Sequence, residues 1–198
     1  MKSLKGTKTA ENLLKAFAGE SQARNRYTFY ASAADKEGYK QIRNIFIETA
    51  DNEKEHAKRF YNFLLEGFAN ELPSSVVITE AEFPVAKGDT LANLKAAASG
   101  EKEEWEELYP YFAEIAKEEG FPEISAAFKM IAKAETAHEA RYNKLAKNIE
   151  DGIVFKRNGK VYWKCGNCGY IHEGDSAPLK CPACLHDQAF FELFAETY

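Results

Sequence analysis

The fold is decided by two short stretches in which a glutamate precedes a histidine by three residues, Glu53-Lys54-Glu55-His56 and Glu135-Thr136-Ala137-His138. The two stretches lie 82 residues apart. Other residues recur at the same offset, among them Tyr27 with Tyr109, Gly38 with Gly120, and Phe46 with Phe128. A recurrence at a fixed offset is typical of a duplicated structural unit. Because the repeated residues include metal-ligand types, the duplication predicts a matched pair of half-sites for two metal ions, held between two helical hairpins.

Composition limits the classes of function. The chain has 198 residues, a net charge of −5 and 45% hydrophobic residues, values that are ordinary for a globular protein. The negative charge argues against a nucleic-acid partner, which would require a basic face. No apolar run approaches the roughly 20 residues that a membrane-spanning helix needs, and the polar segment 1–12 shows no secretory signal. We therefore expect a cytoplasmic protein without a membrane or nucleic-acid partner.

Helix-forming residues with apolar residues at helical spacing extend from about residue 9 to 149 and predict four long helices, over 9–36, 39–66, 90–119 and 122–149. Gly38 and Gly120 fit the left-handed residues that end the first and third helices. Thr90 fits the N-cap of the third helix, and Pro122 fits the first turn of the fourth.

The segment 67–89 interrupts this pattern with two prolines, two glycines and the β-branched run Val76-Val77-Ile78-Thr79. It is either a disordered linker or a long crossover that packs on the bundle, and its apolar content favours the crossover. A long crossover is typical of ferritin-like four-helix bundles and not of simple up-down bundles.

Counting residues from the two glycines places four carboxylates at one level of the bundle. Glu20 and Glu53 lie 18 residues before and 15 after Gly38, and the second hairpin repeats this with Glu101 and Glu135, 19 before and 15 after its own glycine. Residues i and i+3 share a helix face, so each repeated histidine stands one turn from its glutamate. One glutamate from each of two helices, plus a Glu-x-x-His from each of the other two, is the di-iron or di-manganese set of ferritin-like bundles.

The chemistry of these residues favours a pair of iron ions. Several carboxylates in a helical core would cost several kcal/mol each to desolvate unless cations accompany them. Carboxylate oxygens suit hard iron states, and neutral imidazoles limit the accumulated negative charge. A single Glu-x-x-His is a weak signal, because surface ion pairs share this spacing; its repetition at equal distances from matching glycines is much stronger. Glu104, one turn from Glu101, is a candidate for a further carboxylate.

The repeat slips by one residue near the site. Glu20 precedes Tyr27 by seven residues, whereas Glu101 precedes Tyr109 by eight. This extra residue predicts a π-bulge in the third helix between Glu101 and Tyr109. The two tyrosines either hydrogen-bond the ligand carboxylates and relay protons or are ordinary core residues, and the sequence leaves both interpretations open.

All four cysteines lie in the last 34 residues, as Cys165-x-x-Cys168 and Cys181-x-x-Cys184. In a chain without a signal, this spacing indicates a metal site and a reducing compartment rather than disulfides. Four thiolates predict tetrahedral iron or zinc, so a structural zinc clip is the alternative. Ahead of them, residues 154–163 predict two short strands joined by an Asn158-Gly159 turn. The change of pattern predicts a domain boundary near 150–153.

Over essentially the entire chain, the two sites in this order resemble the rubrerythrins. The stretches that carry the resemblance to the ligand helices are 17–27, 53–59, 100–104 and 135–139, and Cys165–Cys184 is similar to a rubredoxin module. The resemblance implies a mainly α protein, with a ferritin-like di-iron four-helix bundle over 1–152 and a small rubredoxin-like domain of strands and cysteine knuckles over 153–198.

By the same resemblance, the protein is a non-haem peroxidase that reduces hydrogen peroxide to water in defence against oxidative stress. Electrons would come from an external donor, a rubredoxin or an NAD(P)H oxidoreductase, through the iron of the four-cysteine site. The resemblance also implies a dimer, and some relatives exchange helical pairs between subunits.

The resemblance further implies the ligand roles. Glu53 and Glu135 would bridge two irons, with Glu20, Glu101 and Glu104 as further carboxylate ligands and His138 on one iron. On the other iron, His56 would replace Glu104 upon reduction. We expect Glu104, His56, Tyr27 and Tyr109 to act in catalysis. Two other functions stay open from the residues alone: a ferroxidase or iron-storage protein, and a non-enzymatic scaffold with zinc in both sites.

Overall fold

The computed structural model describes residues 2–197. The helices are α1 (Lys8–Lys36), α2 (Lys40–Gly67), α3 (Thr90–Glu103), α4 (Tyr109–Glu118) and α5 (Pro122–Glu150), and the strands are β1 (Lys156–Cys165), β2 (Ile171–Ser176) and β3 (Phe191–Leu193). A π-helical turn, Glu104–Leu108, joins α3 to α4, so these three elements form one long rod. α1 packs along α2, and the rod packs along α5. The predicted bundle of four long helices is confirmed.

Two glycines close the hairpins, as predicted. Gly38 and Gly120 both have φ +83°, in the left-handed region that side chains rarely adopt. Beyond each glycine the chain returns a backbone hydrogen bond to the helix it has left, from Tyr39 N to Ala34 O (2.8 Å) and from Phe121 N to Ala116 O (2.7 Å). These are the bonds of a Schellman ending.

The start of α3 corrects one prediction. Thr90 is not the N-cap but the first helical residue, and the cap is Asp89, whose side chain accepts a 2.8 Å hydrogen bond from Ala92 N. A carboxylate at this position satisfies a free N–H and interacts favourably with the positive end of the helix. Pro122 lies in the first turn of α5, as expected.

The predicted π-bulge is confirmed. The N–H of Tyr109 donates to the carbonyl of Glu104, five residues back instead of four. The extra residue therefore lies between the buried Glu101 and the buried Tyr109, both of which keep their side chains inside the bundle. Such bulges are often found at functional sites.

The crossover between α2 and α3 packs on the bundle, so the disordered-linker alternative is wrong. Glu11 of α1 accepts hydrogen bonds from Thr79 N (3.1 Å) and Thr79 Oγ1 (2.8 Å). Farther along, Tyr30 Oη donates to Ala86 O at 2.8 Å. Val76 contacts the buried core from the same segment.

The bundle interior has two apolar clusters, one on each side of the carboxylate level. One cluster contains Phe60, Phe112 and Phe128, and the other contains Tyr30 and Phe46. All five side chains are buried. The clusters keep bulk water from both ends of the polar layer, which strengthens the electrostatic interactions within it.

The C-terminal sheet is antiparallel, in the order β2-β1-β3. The predicted pair of strands joined by an Asn158-Gly159 turn is wrong, because β1 runs through both residues. Gly159, at φ +105°, instead marks an irregularity where the register with β2 shifts. The strand continues because its partners come from later in the chain.

This sheet and its knuckles contact the turn between α1 and α2. The rings of Tyr39 and Phe155 stack with centroids 6.2 Å apart, and Lys40 Nζ lies 5.3 Å from the centre of the Phe190 ring. A Cβ placed on Gly38 would lie 3.6 Å from the Ala189 side chain. Across the described residues, no helix has the length and apolar character needed to cross a membrane.

Candidate metal centres

Four glutamates meet inside the bundle, one from each of the four rods, at the level predicted by counting from the glycines. Glu20, Glu53, Glu101 and Glu135 are each at most 1% exposed. Their side chains, with two histidines, form two overlapping groups whose ligand atoms lie within 4.8 Å of one another: Glu20, Glu53, His56 and Glu135 in one, and Glu53, Glu101, Glu135 and His138 in the other. Glu53 and Glu135 belong to both groups, which places them between the two positions.

Both histidines turn Nδ1 toward the shared glutamates. His56 Nδ1 lies 2.9 Å from an oxygen of Glu53 and 2.9 Å from an oxygen of Glu135. His138 Nδ1 lies 2.7 Å from Glu135 Oε2 and 3.2 Å from Glu53 Oε1. The geometry is the same on both sides, as expected of a duplicated unit.

Protons stabilise this cluster when no cation is present. Burial opposes a charge on the imidazoles, but close contacts with the carboxylates of Glu135 and Glu53 raise the pKa of His56 to about 10 and that of His138 to about 9. Burial also raises the pKa of Glu20 and Glu101 well above the ordinary value, and the neighbouring carboxylates add to the shift. The cluster is therefore neutralised by protons in positions that a cation could take over.

The residues present fit a pair of hard metal ions. Glu20 Oε2 and Glu101 Oε2 are buried and have no hydrogen-bond partner among the described residues. Orphaned carboxylate oxygens of this kind are costly unless something binds them. A set of four carboxylates and two imidazoles supplies oxygen and nitrogen ligands suited to iron or manganese.

Two tyrosines tie the hairpins together. Tyr27 Oη donates to Glu101 Oε1, and Tyr109 Oη donates to Glu20 Oε1, both at 2.5 Å. Each tyrosine thus orients the carboxylate of the opposite hairpin. Both rings are also buried in the apolar clusters. Each tyrosine is therefore both a core residue and a hydrogen-bond donor to a predicted ligand.

Glu104 is the exception among the predicted ligands. It belongs to neither four-residue group. Instead it lines a cavity beside the cluster, and its Oε1 lies 3.8 Å from where a Cβ on Gly19 would stand. Glu104 begins the π turn, and His56 takes part in the cluster where Glu104 does not. Burial raises the pKa of Glu104 well above its usual value, an effect increased by Glu135 and Glu53.

Sequence reasoning missed a contact that supports the π turn. Trp105 Nε1 donates a 2.7 Å hydrogen bond to Glu139 Oε2 of α5. The signal was present, since Trp105 lies within the slipped part of the repeat and Glu139 directly follows His138. Only the fold shows that the two meet.

The four cysteines converge in the C-terminal module. Cys165 and Cys184 sulfurs lie 3.8 Å apart, and those of Cys168 and Cys181 lie 3.6 Å apart. A disulfide would need about 2.05 Å. Four sulfurs bonded at about 2.3 Å around one tetrahedral metal would be about 3.8 Å from one another, so the observed spacing fits a tetrathiolate site.

The surroundings of Cys168 and Cys184 shift the pKa values of their thiols in opposite directions. A hydrogen bond from the backbone of His186 lowers the pKa of Cys184 to about 6. Contacts with the other thiols outweigh the backbone of Tyr170 and raise the pKa of Cys168 to about 12. Cys165 and Cys181 are buried, whereas Cys168 is exposed. One edge of the site is therefore open to solvent.

Comparison with known proteins agrees with both centres. The Rubrerythrin family model matches residues 11–146, and the model of the rubrerythrin rubredoxin-like domain matches 163–192. The rubrerythrin of Clostridium perfringens is 66% identical over 199 residues, covering 100% of both chains. That of Nitratidesulfovibrio vulgaris is 53% identical, covering 98% of this chain and 97% of its own.

Solved structures extend the comparison. Nigerythrin in a mixed-valence state is 31% identical, with a TM-score of 0.62, and the match covers 98% of this chain and 92% of that one. A bacterioferritin of Desulfovibrio desulfuricans, 23% identical with a TM-score of 0.63, matches 74% of this chain and 82% of its own and supports the fold alone.

The fold and the two centres define a ferritin-like di-iron carboxylate protein with an added rubredoxin-like four-cysteine site. The full-length similarity then gives the family: the chain belongs to the rubrerythrins.

Proposed function

We propose that this protein is a peroxidase that reduces hydrogen peroxide to water. One peroxide molecule takes up two electrons and two protons, its O–O bond breaks, and two water molecules form. The observation that carries the proposal is the presence, in one chain, of a site for two metals and a tetrathiolate site for one. When bound, an iron pair supplies both electrons to a single peroxide, which avoids release of a hydroxyl radical.

The ligand assignment follows the two overlapping groups. We assign Glu53 and Glu135 to both metal positions, Glu20 and His56 to one, and Glu101 and His138 to the other. Glu104 would exchange with His56 at the first position, since it lies just outside the cluster on the π turn. Cys165, Cys168, Cys181 and Cys184 would hold the single iron of a second unit, residues 153–198, attached to the bundle unit 1–152.

Protons for the reaction come from groups that stay neutral. The pKa of Glu104 is raised well above its usual value, which favours the protonated carboxyl, and this side chain lines the cavity where a substrate oxygen would arrive. Burial also raises the pKa of Tyr27 and Tyr109 well above the usual value. Their hydroxyls keep Glu101 and Glu20 in place and return protons to them. We include His56 in the catalytic group, because it would exchange with Glu104 at the first metal position.

The electron supply involves other molecules. An external donor, a rubredoxin or an NAD(P)H-dependent oxidoreductase in the cytoplasm, would reduce the four-cysteine iron. That module contacts α2 near Lys40, and Glu53 lies thirteen helical residues further, or about 20 Å. Electron transfer slows steeply with distance, so the proposal includes a homodimer in which one subunit's module serves the other's bundle. Exchange of helices is not required, because one chain supplies the complete cluster.

Replacing Cys181 with serine tests the proposal. Steady-state peroxide reduction with an external reductant should fall at least a hundredfold, while protein whose metal pair is reduced beforehand still consumes one peroxide. Ser176→Ala, a change at an exposed hydroxyl of the same module, serves as the matched control. Unchanged steady-state turnover in Cys181→Ser would contradict the electron route.

A ferroxidase or iron-storage role is the second candidate, favoured only by the ferritin-like fold. Iron storage does not require a tetrathiolate site. Measuring electrons consumed per peroxide, and looking for a mineral core after iron loading, separates the two. Metal analysis of protein purified without oxygen tests the scaffold alternative, since zinc in both sites would contradict every redox function.

A further inference from the structure

The cavity beside the metal cluster is larger than hydrogen peroxide needs. Its volume is about 610 Å³, and it lies between α1, the π turn and residues 80–84 of the crossover. Cavities of roughly 300–1,000 Å³ are typical of sites for molecules with many heavy atoms. A substrate of two oxygens and two hydrogens would leave nearly all of this space to water.

The inner end of the cavity lies beside the metal cluster. Tyr27, Glu104 and Tyr109 line it there, and two of these side chains donate directly to predicted ligands at 2.5 Å. A molecule in the cavity would therefore meet the carboxyl of Glu104 without passing any further barrier. Gly19 adds to the space, since a side chain there would approach both Glu104 and Phe83.

Farther out, the wall is mainly apolar. The apolar lining residues are Ala16, Phe83, Pro84, Leu108, Tyr111 and Phe112. Their arrangement gives a polar, reactive inner end and an apolar middle section. A ligand that matches it has a polar group at one end and an apolar body at the other.

The solvent side excludes an anionic ligand. Glu80, Glu82 and Glu103 line the cavity and are exposed. Two cations also line it, but Lys15 is engaged by Glu11 at 3.0 Å, which leaves Arg26 against three carboxylates. A carboxylate-bearing molecule such as a fatty-acid hydroperoxide would meet net repulsion there. A neutral molecule would not.

We propose that this cavity binds neutral organic hydroperoxides with a bulky alkyl or aryl group and presents them to the metal cluster for reduction to the alcohol. The step is ROOH plus two electrons and two protons giving ROH and water: the O–O bond breaks, and each oxygen takes up a proton. The electrons arrive by the same route as for hydrogen peroxide, so this inference rests on the proposed function.

Gly100 offers a clean test. It lines the cavity, a Cβ there would meet nothing within 4 Å, and its backbone is helical. Gly100→Leu should therefore fill the cavity without a clash and improve helix propensity. Ser99→Leu adds the same side chain one residue away, at an exposed position that does not line the cavity, and is the matched control.

Kinetics would compare kcat/KM for cumene hydroperoxide with kcat/KM for hydrogen peroxide in the full metal-loaded protein. In the wild type we expect values within about tenfold of each other. Gly100→Leu should lower the ratio of the cumene to the hydrogen peroxide value at least tenfold, and Ser99→Leu should leave it unchanged. Leu108→Trp, at a cavity residue 36% exposed, is a second filling variant in case Gly100→Leu fails to fold.

A binding measurement makes the test independent of turnover. Cumyl alcohol, the product, should bind the oxidised wild-type protein in a calorimetric titration, and Gly100→Leu should weaken binding at least tenfold. The inference would be overturned if both filling variants kept the wild-type ratio of the two kcat/KM values and the wild-type affinity for cumyl alcohol. If the protein reduces hydrogen peroxide but not cumene hydroperoxide, this inference is overturned and the proposed function stands. If it reduces neither, the proposed function itself is contradicted.

Discussion

Loading the carboxylate–imidazole cluster with two divalent metal ions should release at least two protons per protein molecule near pH 7. The number follows from the groups that hold protons in the metal-free cluster. His56 and His138 have a pKa of about 10 and about 9, so each carries a proton that a metal must displace. Burial and the neighbouring carboxylates also raise the pKa of Glu20 and Glu101, which favours further protons on the cluster.

Manganese(II) is the best probe, because it prefers carboxylate oxygens to thiolates and so does not bind the cysteine site. Metal-free protein in weak buffer under argon would be titrated with Mn²⁺ while a pH indicator records the protons released. The apparent affinity for the metal pair should rise by at least about a hundredfold per pH unit near neutrality, because each displaced proton contributes a factor of ten. A Glu55→Gln variant, changed at an exposed glutamate between two ligand positions, should release the same number. Release of fewer than two protons would refute the picture of a proton-filled cluster.

Four further predictions concern stability. The pKa values of His56 and His138 are raised in the folded protein, so the stability they contribute is complete below pH 6.5 and lost as pH rises through about 9 to 10; the Tm of the metal-free protein should fall over this range, and a flat profile would contradict it. Tyr109→Phe should lower the free energy of unfolding by about 1–3 kcal/mol, because Glu20 loses its donor inside the bundle, whereas Tyr111→Phe, at a ring 55% exposed, should change it little in the same urea titration. Gly38→Ala should cost about 1–2 kcal/mol in urea unfolding, since alanine is strained at φ +83°, and an unchanged midpoint would argue against that strain. Trp105→Phe should cost about 1 kcal/mol and increase amide hydrogen exchange in the π turn; exchange equal to wild type would show that the bond to Glu139 does not hold the turn.

The repeat explains why so much of the site could be predicted. An offset shared by ligand-type residues and by the closing glycines fixes the height of each glutamate on its helix, and a helix converts sequence spacing into distance without further information. The one-residue slip between Glu101 and Tyr109 carries information of the same kind, because only an inserted residue can change the offset within a helix.

Other features depend on contacts that no local pattern records. The interruption of β1 at Gly159 did not become a turn, because Lys156 and Val161 on either side of it both pair with β2 and the residues between them form an irregularity in the register. Asp89 and Thr90 are both good N-caps, and the choice between them depends on how the crossover reaches α3. The position of Glu104 outside the cluster depends on which side of the π turn faces the cavity.

The inserted residue has a consequence for the symmetry of the whole site. Gene duplication would give two equivalent halves, and most of the cluster still obeys that rule. At the position matching Glu104 in the other half, however, α1 carries the buried Ala23, which has no ligand atom. The two halves that began as copies are thus unequal, because only one of them carries a second carboxyl one helical turn beyond its ligand glutamate.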